Sequence, residues 1–207
     1  MATIGVLALQ GAFIEHEQML QQLGADVRRV TLPRHLAGLS GLIIPGGEST
    51  TIGKLMVEWE LLEPLRAFGR SGVPIYGSCA GAIVLAHDVG RDQPLLDLMD
   101  LRVERNAFGR QAESFQADLQ IPILGDAAFP GVFIRAPKIV ATGAGVDILC
   151  TLPDGSIVAA QQQQMLAVSF HAELTGDTRL HAYFLAMAED AAQSRKGGRG
   201  APLEAPA

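Results

Sequence analysis

Residues 75–83, Ile-Tyr-Gly-Ser-Cys-Ala-Gly-Ala-Ile, restrict the possible folds more than any other stretch of this 207-residue chain. An apolar run with strand character enters Gly77-Ser78-Cys79-Ala80-Gly81 and leaves with helical spacing. This is the layout of a nucleophile elbow, in which the central residue takes a strained backbone conformation. The flanking glycines remove side chains that would clash where strand and helix converge.

The surrounding pattern fits an α/β architecture. Short apolar runs at residues 4–9, 41–44 and 73–76 read as parallel strands buried on both faces, each ending in a glycine-bearing loop. Between them, residues 13–23 and 55–68 place apolar side chains every three or four positions, as a helix packed on a sheet requires. The expected fold is therefore a mostly parallel central sheet with helices on both faces. From residue 101 onward shorter strand-like pieces follow at 132–135, 146–152, 157–160 and 165–170, read as a small antiparallel extension. A last helix is expected over residues 178–191, with Asp177 as its cap. Residues 1–193 read as one folded unit and residues 194–207 as a frayed, disordered tail.

Composition removes several function classes. With 48% hydrophobic and 18% charged residues the chain can bury a sizeable core. A net charge of -6 leaves no broad electropositive face for a phosphate backbone, which argues against nucleic-acid binding. The N-terminal apolar run is too short to span a bilayer and lacks the basic region of a signal peptide, so a cytoplasmic protein without membrane association is expected. Two cysteines, Cys79 and Cys150, neither build a disulfide framework nor supply a zinc cluster.

At the centre of the elbow, Cys79 faces the start of a helix whose free amides favour an anionic sulfur, and the amide of Ala80 is the natural first oxyanion donor. A small buried hydrophobe also fits that position. Cys150 has no elbow and reads as packing, and Ser78 occupies the wrong place in the turn to be the nucleophile. A cysteine nucleophile needs a histidine base and an orienting group. Among His16, His35, His87, His171 and His181, only His171 closes a strand-like run and has a carboxylate, Glu173, two residues on. Residues two apart on an extended segment point the same way, which brings this pair together at the sheet edge; a solvated surface pair is the alternative. His16, His87 and His181 are assigned to helices and His35 to a polar loop, all structural.

A second glycine-bearing turn, Pro45-Gly46-Gly47-Glu48-Ser49, follows a strand and opens a helix, presenting several amides that could hold an oxyanion or simply close a turn. It is not a phosphate-binding loop, because Glu48 and Leu55 stand where glycine and a hydroxyl residue are required.

Taken together, Pro45-Gly46-Gly47-Glu48-Ser49, Gly77-Ser78-Cys79-Ala80-Gly81 and His171-Ala172-Glu173 resemble the three signatures of class I glutamine amidotransferases in order and spacing. Leu9-Gln10-Gly11-Ala12, residues 104–111 (Glu-Arg-Asn-Ala-Phe-Gly-Arg-Gln) and Phe133-Ile134-Arg135-Ala136-Pro137 resemble one branch, the glutaminase subunits of pyridoxal 5'-phosphate synthase. The resemblance covers residues 3–191. It implies a three-layer class I amidotransferase-like fold, Cys79 as nucleophile and His171 with Glu173 as the rest of the triad. It further implies that Gly47, Glu48, Ser49, Arg105, Ile134 and Arg135 surround glutamine, with Gly47 and Ala80 as oxyanion donors. Without it both arginines read as surface ion pairs.

The resemblance also implies L-glutamine as substrate, no cofactor or metal, and a hetero-oligomer with a synthase (lyase) subunit that receives the ammonia. Docking is expected to control activity, with Gln10 and Gly11 as reporters. An amidotransferase subunit of another pathway such as histidine biosynthesis, a cysteine peptidase or γ-glutamyl hydrolase, and an inactive binding subunit are the alternatives. Three positions depart from the family pattern: Ala172 replaces proline, Ser78 threonine and Gln163 glycine. Proline would stiffen the link between base and orienter.

Overall fold

The computed structural model describes residues 2–105 and 114–197. Its first half runs β1 (Thr3–Leu7), α1 (Phe13–Gln22), β2 (Asp26–Val30), β3 (Gly41–Ile44), α2 (Ser49–Glu58), α3 (Leu62–Arg70), β4 (Ile75–Ser78) and α4 (Ala80–Leu85). The second half adds β5 (Ala86–Asp88), β6 (Met99–Glu104), β7 (Ser114–Leu119), β8 (Phe129–Ile134), β9 (Lys138–Thr142), β10 (Asp147–Thr151), β11 (Ile157–Gln162), β12 (Met165–Val168) and α5 (Arg179–Gly197).

Ten strands form one sheet in the order β2-β1-β3-β4-β12-β11-β9-β6-β5, with β10 paired to β11. From β2 through β12 the pairing is parallel, β11, β9 and β6 continue it antiparallel, and β5 closes the order parallel to β6. The parallel strands are apolar on both faces because both are covered. Along β3, Leu42 and Ile44 enter one core and Ile43 the other. On the first face Ile52 and Met56 of α2, Leu65 of α3 and all of α4 pack against the sheet. The opposite face is covered by Leu20 of α1, Leu180 and Phe184 of α5, and Phe129 and Phe133 of the separate β7–β8 ribbon. The architecture is thus the expected three-layer α/β fold.

Several elements differ from expectation. The single helix expected over 55–68 is two: α2 starts earlier, where the Glu48 carboxylate accepts from the amides of Thr50 and Thr51, and the chain breaks at Glu60, whose φ is +56°. Unexpected strands are β2, β5, β6, β7 and β9. Solvent-facing polar residues mask them: β2 is an edge strand reading Asp-Val-Arg-Arg-Val, and β6 alternates buried and exposed side chains. His87 lies not in a helix but in β5, paired to Asp97 at 2.7 Å, and His35 lies in a short 3-10 turn at Pro33–Leu36. Asp177 accepts the amide of Arg179 at 3.0 Å at the start of α5, which runs beyond residue 191 to Gly197. Residues 194–197 of the expected tail therefore continue that helix, and residues 198–207 lie outside the described residues.

Candidate active site

Cys79 sits between β4 and α4 with φ +48° and ψ -100°, a conformation that costs a side-chain-bearing residue about 1–3 kcal/mol. Its surroundings leave no alternative. A Cβ on Gly77 would lie 2.5 Å from the Gly81 carbonyl carbon, and one on Gly81 would collide with the Ile44 carbonyl oxygen. The amide of Cys79 donates to the Val168 carbonyl at 2.8 Å, tying the elbow to β12. Helix α4, which Cys79 heads, is six residues long.

His171 and Glu173 meet, by a different route from the one expected. Strand β12 ends at Val168, and Ala172–Leu174 form a 3-10 turn rather than extended chain. The pair lies at the carboxyl end of a central strand, not at the lateral edge of the sheet. The turn places Nδ1 of His171 2.7 Å from Oε1 of Glu173, and both residues are buried. A carboxylate accepts, so Nδ1 donates and Nε2 is left free of Glu173, on an imidazole that lies with Cys79 against Gly46. Burial opposes the charged imidazole, but the neighbouring Cys79 side chain and the hydrogen bond to Glu173 outweigh it and raise the His171 pKa to about 10. Burial likewise opposes the Glu173 carboxylate. The field of His16, which acts once that imidazole is protonated in acid, and the hydrogen bond with His171 prevail and bring it down to about 2.

The Ala172 departure leaves this turn closed. Thr175 donates both its amide, at 3.2 Å, and its hydroxyl, at 2.9 Å, to the Ala172 carbonyl. Ser78 supplies a hydroxyl 3.2 Å from Oε2 of Glu173, with the Phe170 carbonyl as a second acceptor at the same distance. Gln163 has φ +52° at the first position of the two-residue turn joining β11 to β12, which explains the glycine usual there.

The second glycine turn packs against the dyad. A Cβ on Gly46 would strike the His171 ring and stand 3.4 Å from Cβ of Cys79. The Gly46 carbonyl accepts from the Ala12 amide at 3.0 Å, and since the C=O and N–H of one peptide point oppositely, this bond fixes the direction of the Gly47 N–H. Oε1 of Gln10 accepts from the Glu48 amide at 2.8 Å, and a Cβ on Gly47 would lie 2.5 Å from that oxygen. The Gln10-Gly11 segment is thus seated on the glycine turn.

Arg105 and Glu48 face each other at 2.7 Å. The Arg105 guanidinium also donates to Oγ1 of Thr50 at 2.8 Å and to Oε1 of Gln93 at 3.2 Å. The Glu48 carboxylate is down to about 2; burial opposes this, and bonds from the Thr51 hydroxyl and amide, the Thr50 amide and Arg105 produce it. Ser49 is buried in the first turn of α2. Ile134 ends β8, and Arg135, exposed, has φ +43°. The structure ties their strand to the dyad through the His171 amide, which donates to the Val132 carbonyl at 2.8 Å, but it does not bring Arg135 and Arg105 into contact with the triad. Residues 106–111 of the branch motif lie outside the described residues. Cys150 is buried in β10, and burial pushes its thiol pKa up.

Two histidines assigned a structural role, His16 of α1 and His181 of α5, converge behind Glu173. The readable signal was their place on apolar helix stripes, His16 with Met19 and Leu20, and His181 with Phe184 and Ala188.

Known proteins resemble this chain over most of its length. A relative from Herpetosiphon aurantiacus, named pyridoxal 5'-phosphate synthase subunit PdxT, is 56% identical over 189 residues, covering 89% of this chain and all of the relative. One from Pelotomaculum thermopropionicum with the same name is 54% identical over 195 residues, covering 94% and 99%. A solved structure described as a glutamine amidotransferase superposes with a TM-score of 0.85 at 48% identity, covering 90% of this chain and 98% of its own. The model of the SNO glutamine amidotransferase family matches residues 6–190, and the chain belongs to that family.

Proposed function

We propose that this chain is the glutaminase subunit of a pyridoxal 5'-phosphate synthase, hydrolysing L-glutamine to glutamate and ammonia. The observation that carries the reading is the buried alignment of Cys79, His171 and Glu173 beneath a glycine turn. Cys79 passes its thiol proton to Nε2 of His171, its sulfur attacks the side-chain amide carbon of glutamine, and the carbonyl electrons move onto oxygen. The amides of Gly47 and Ala80 stabilise that oxyanion. His171 gives its Nε2 proton to the amide nitrogen as the C–N bond breaks, which releases ammonia and leaves a glutamyl thioester. Water then attacks the thioester, His171 takes its proton, the C–S bond breaks, and glutamate departs.

Gly47, Glu48, Ser49, Arg105, Ile134 and Arg135 surround the substrate in this reading. Arg105 faces its α-carboxylate in place of some of the oxygens it now holds, since a guanidinium fork suits a carboxylate. The partner is a synthase (lyase) subunit in a hetero-oligomer that takes the ammonia through a protein channel, in keeping with the names of the relatives. No helix among the described residues is long and apolar enough to cross a membrane, which accords with a cytoplasmic complex. The folded glutaminase unit is assigned to residues 1–193.

Glutamate release by the purified chain, alone and with a pyridoxal 5'-phosphate synthase subunit, tests this, with Cys79→Ala as control. Strong stimulation by the partner that vanishes in Cys79→Ala is expected. Equal activity with and without the partner rejects the pathway, and no activity in either case rejects the glutaminase.

A further inference from the structure

Behind Glu173, on the side away from Cys79, the core holds a second set of polar groups. His16 and His181 are both 0% exposed and come from helices far apart in the chain. Nδ1 of His16 lies 2.9 Å from Nε2 of His181, and Nε2 of His16 lies 3.5 Å from Oε2 of Glu173. Ser78 approaches the same oxygen at 3.2 Å. The Tyr76 ring packs edge-on against both imidazoles, with centroids 5.8 Å and 5.9 Å away.

We propose that His16 and His181 are positioning residues of the triad, extending the row Cys79–His171–Glu173 through the core and holding the carboxylate that orients His171. The proposal rests on the glutaminase reading for its kinetic consequence, though the array is a property of the folded chain.

Proton placement follows from the neighbours. Burial is the largest influence on both imidazoles and drives their pKa values down, that of His181 to about 3, so both are neutral near pH 7. Glu173, His171, Tyr76, His181 and Glu15 are the titratable groups that act on or pack against His16. Glu173 is the anion among its core neighbours, and a lone pair on Nε2 of His16 facing it would be repelled. The proton therefore sits on Nε2, Nδ1 must accept, and Nε2 of His181 must donate. The remaining nitrogen, Nδ1 of His181, is buried and has no hydrogen-bond partner among the described residues. As an unprotonated acceptor it is cheaper to strand there than a donor would be.

The 3.5 Å separation is longer than a formed hydrogen bond, and Nε2 of His16 has no other partner among the described residues. Catalytic contacts of this kind tighten when substrate is bound. Two apolar side chains of similar volume would fill this space without the cost of burying unsatisfied polar groups. What imidazole adds is a directed N–H on the carboxylate from the far side. With His171 on Oε1 and His16 beside Oε2, Glu173 is held from both ends and cannot rotate away from the base.

The test uses the full chain with the synthase subunit and compares wild type with His16→Leu, His16→Gln and His16→Asn. Glutamine carries its amide nitrogen to where Nε2 stood, whereas asparagine reaches only as far as Nδ1. Loss of about 10- to 100-fold in kcat with KM unchanged is expected for His16→Leu and His16→Asn, by analogy with outer-shell partners elsewhere, and substantial recovery for His16→Gln. The acid limb of the rate profile should also move to higher pH in His16→Leu, because Glu173 protonates more easily. In the free wild-type chain, nitrogen-15 NMR should find His16 as the Nε2–H tautomer. Wild-type kcat and acid limb in a folded His16→Leu, equal kcat in the glutamine and asparagine variants, or an Nδ1–H tautomer each overturns the proposal. A wild-type complex that releases no glutamate would instead refute the glutaminase reading, with the NMR result still deciding the array.

Discussion

Oε1 of Glu173 holds Nδ1 of His171 at 2.7 Å, with both residues buried. The bond sets the tautomer of the imidazole and aims its second nitrogen at Cys79. Glu173→Gln keeps the shape but can present an N–H where an acceptor is needed. A fall in kcat of about 10³- to 10⁴-fold is expected, on the scale seen when such an orienter loses its charge. Steady-state glutamate release with the partner present measures it, and loss confined to KM would contradict the assigned role.

Ala172→Pro should stabilise the chain and leave activity in place. Ala172 opens a 3-10 turn, where proline is tolerated, and His171 before it has φ -98° and ψ 89°, outside the helical region that a following proline disfavours. The gain comes from a less flexible unfolded chain, about 0.4–1 kcal/mol. Thermal unfolding of the two proteins decides this, and a lower midpoint for the variant would show that proline does not fit the turn.

Gln163→Gly should also stabilise. Gln163 has φ +52° in the β11–β12 turn and pays for a left-handed backbone that glycine adopts freely. Relief of about 1 kcal/mol is expected, read as a higher denaturant midpoint with unchanged slope.

Acid should weaken the fold through His181 before Glu173. The folded pKa of His181 is depressed to about 3 from 6.5, so as pH falls below 6.5 the unfolded chain binds a proton that the native chain refuses, and stability drops down to about 3. Glu173, near 2 against 4.5, contributes stability that is whole above 4.5 and lost as pH falls toward 2. His171, raised to about 10, acts in the opposite window: its contribution is whole below 6.5 and lost as pH rises toward 10. Denaturant titrations at a series of pH values should therefore show a positive slope of stability with pH between 3 and 6.5, shallower in His181→Leu. An identical slope in that variant would place the acid sensitivity elsewhere.

Much of this was decided in the order of residues. Leu42-Ile43-Ile44 is apolar without alternation, so it must be covered on both sides, and that alone demands three layers. Gly77 and Gly81 flank a cysteine at the offsets a strand-to-helix elbow needs, because no Cβ fits between the two converging backbones. His171 and Glu173 were legible as a pair from their spacing, although a 3-10 turn rather than strand pleating joins them. Polar edge strands such as β2 and the alternating β6 were hidden, since half of their side chains face water. Only the tertiary structure brought His16 and His181 to Glu173. Packing on one face of a common sheet places α1 and α5 side by side, and burial then gives an otherwise ordinary histidine on an apolar stripe a carboxylate to face.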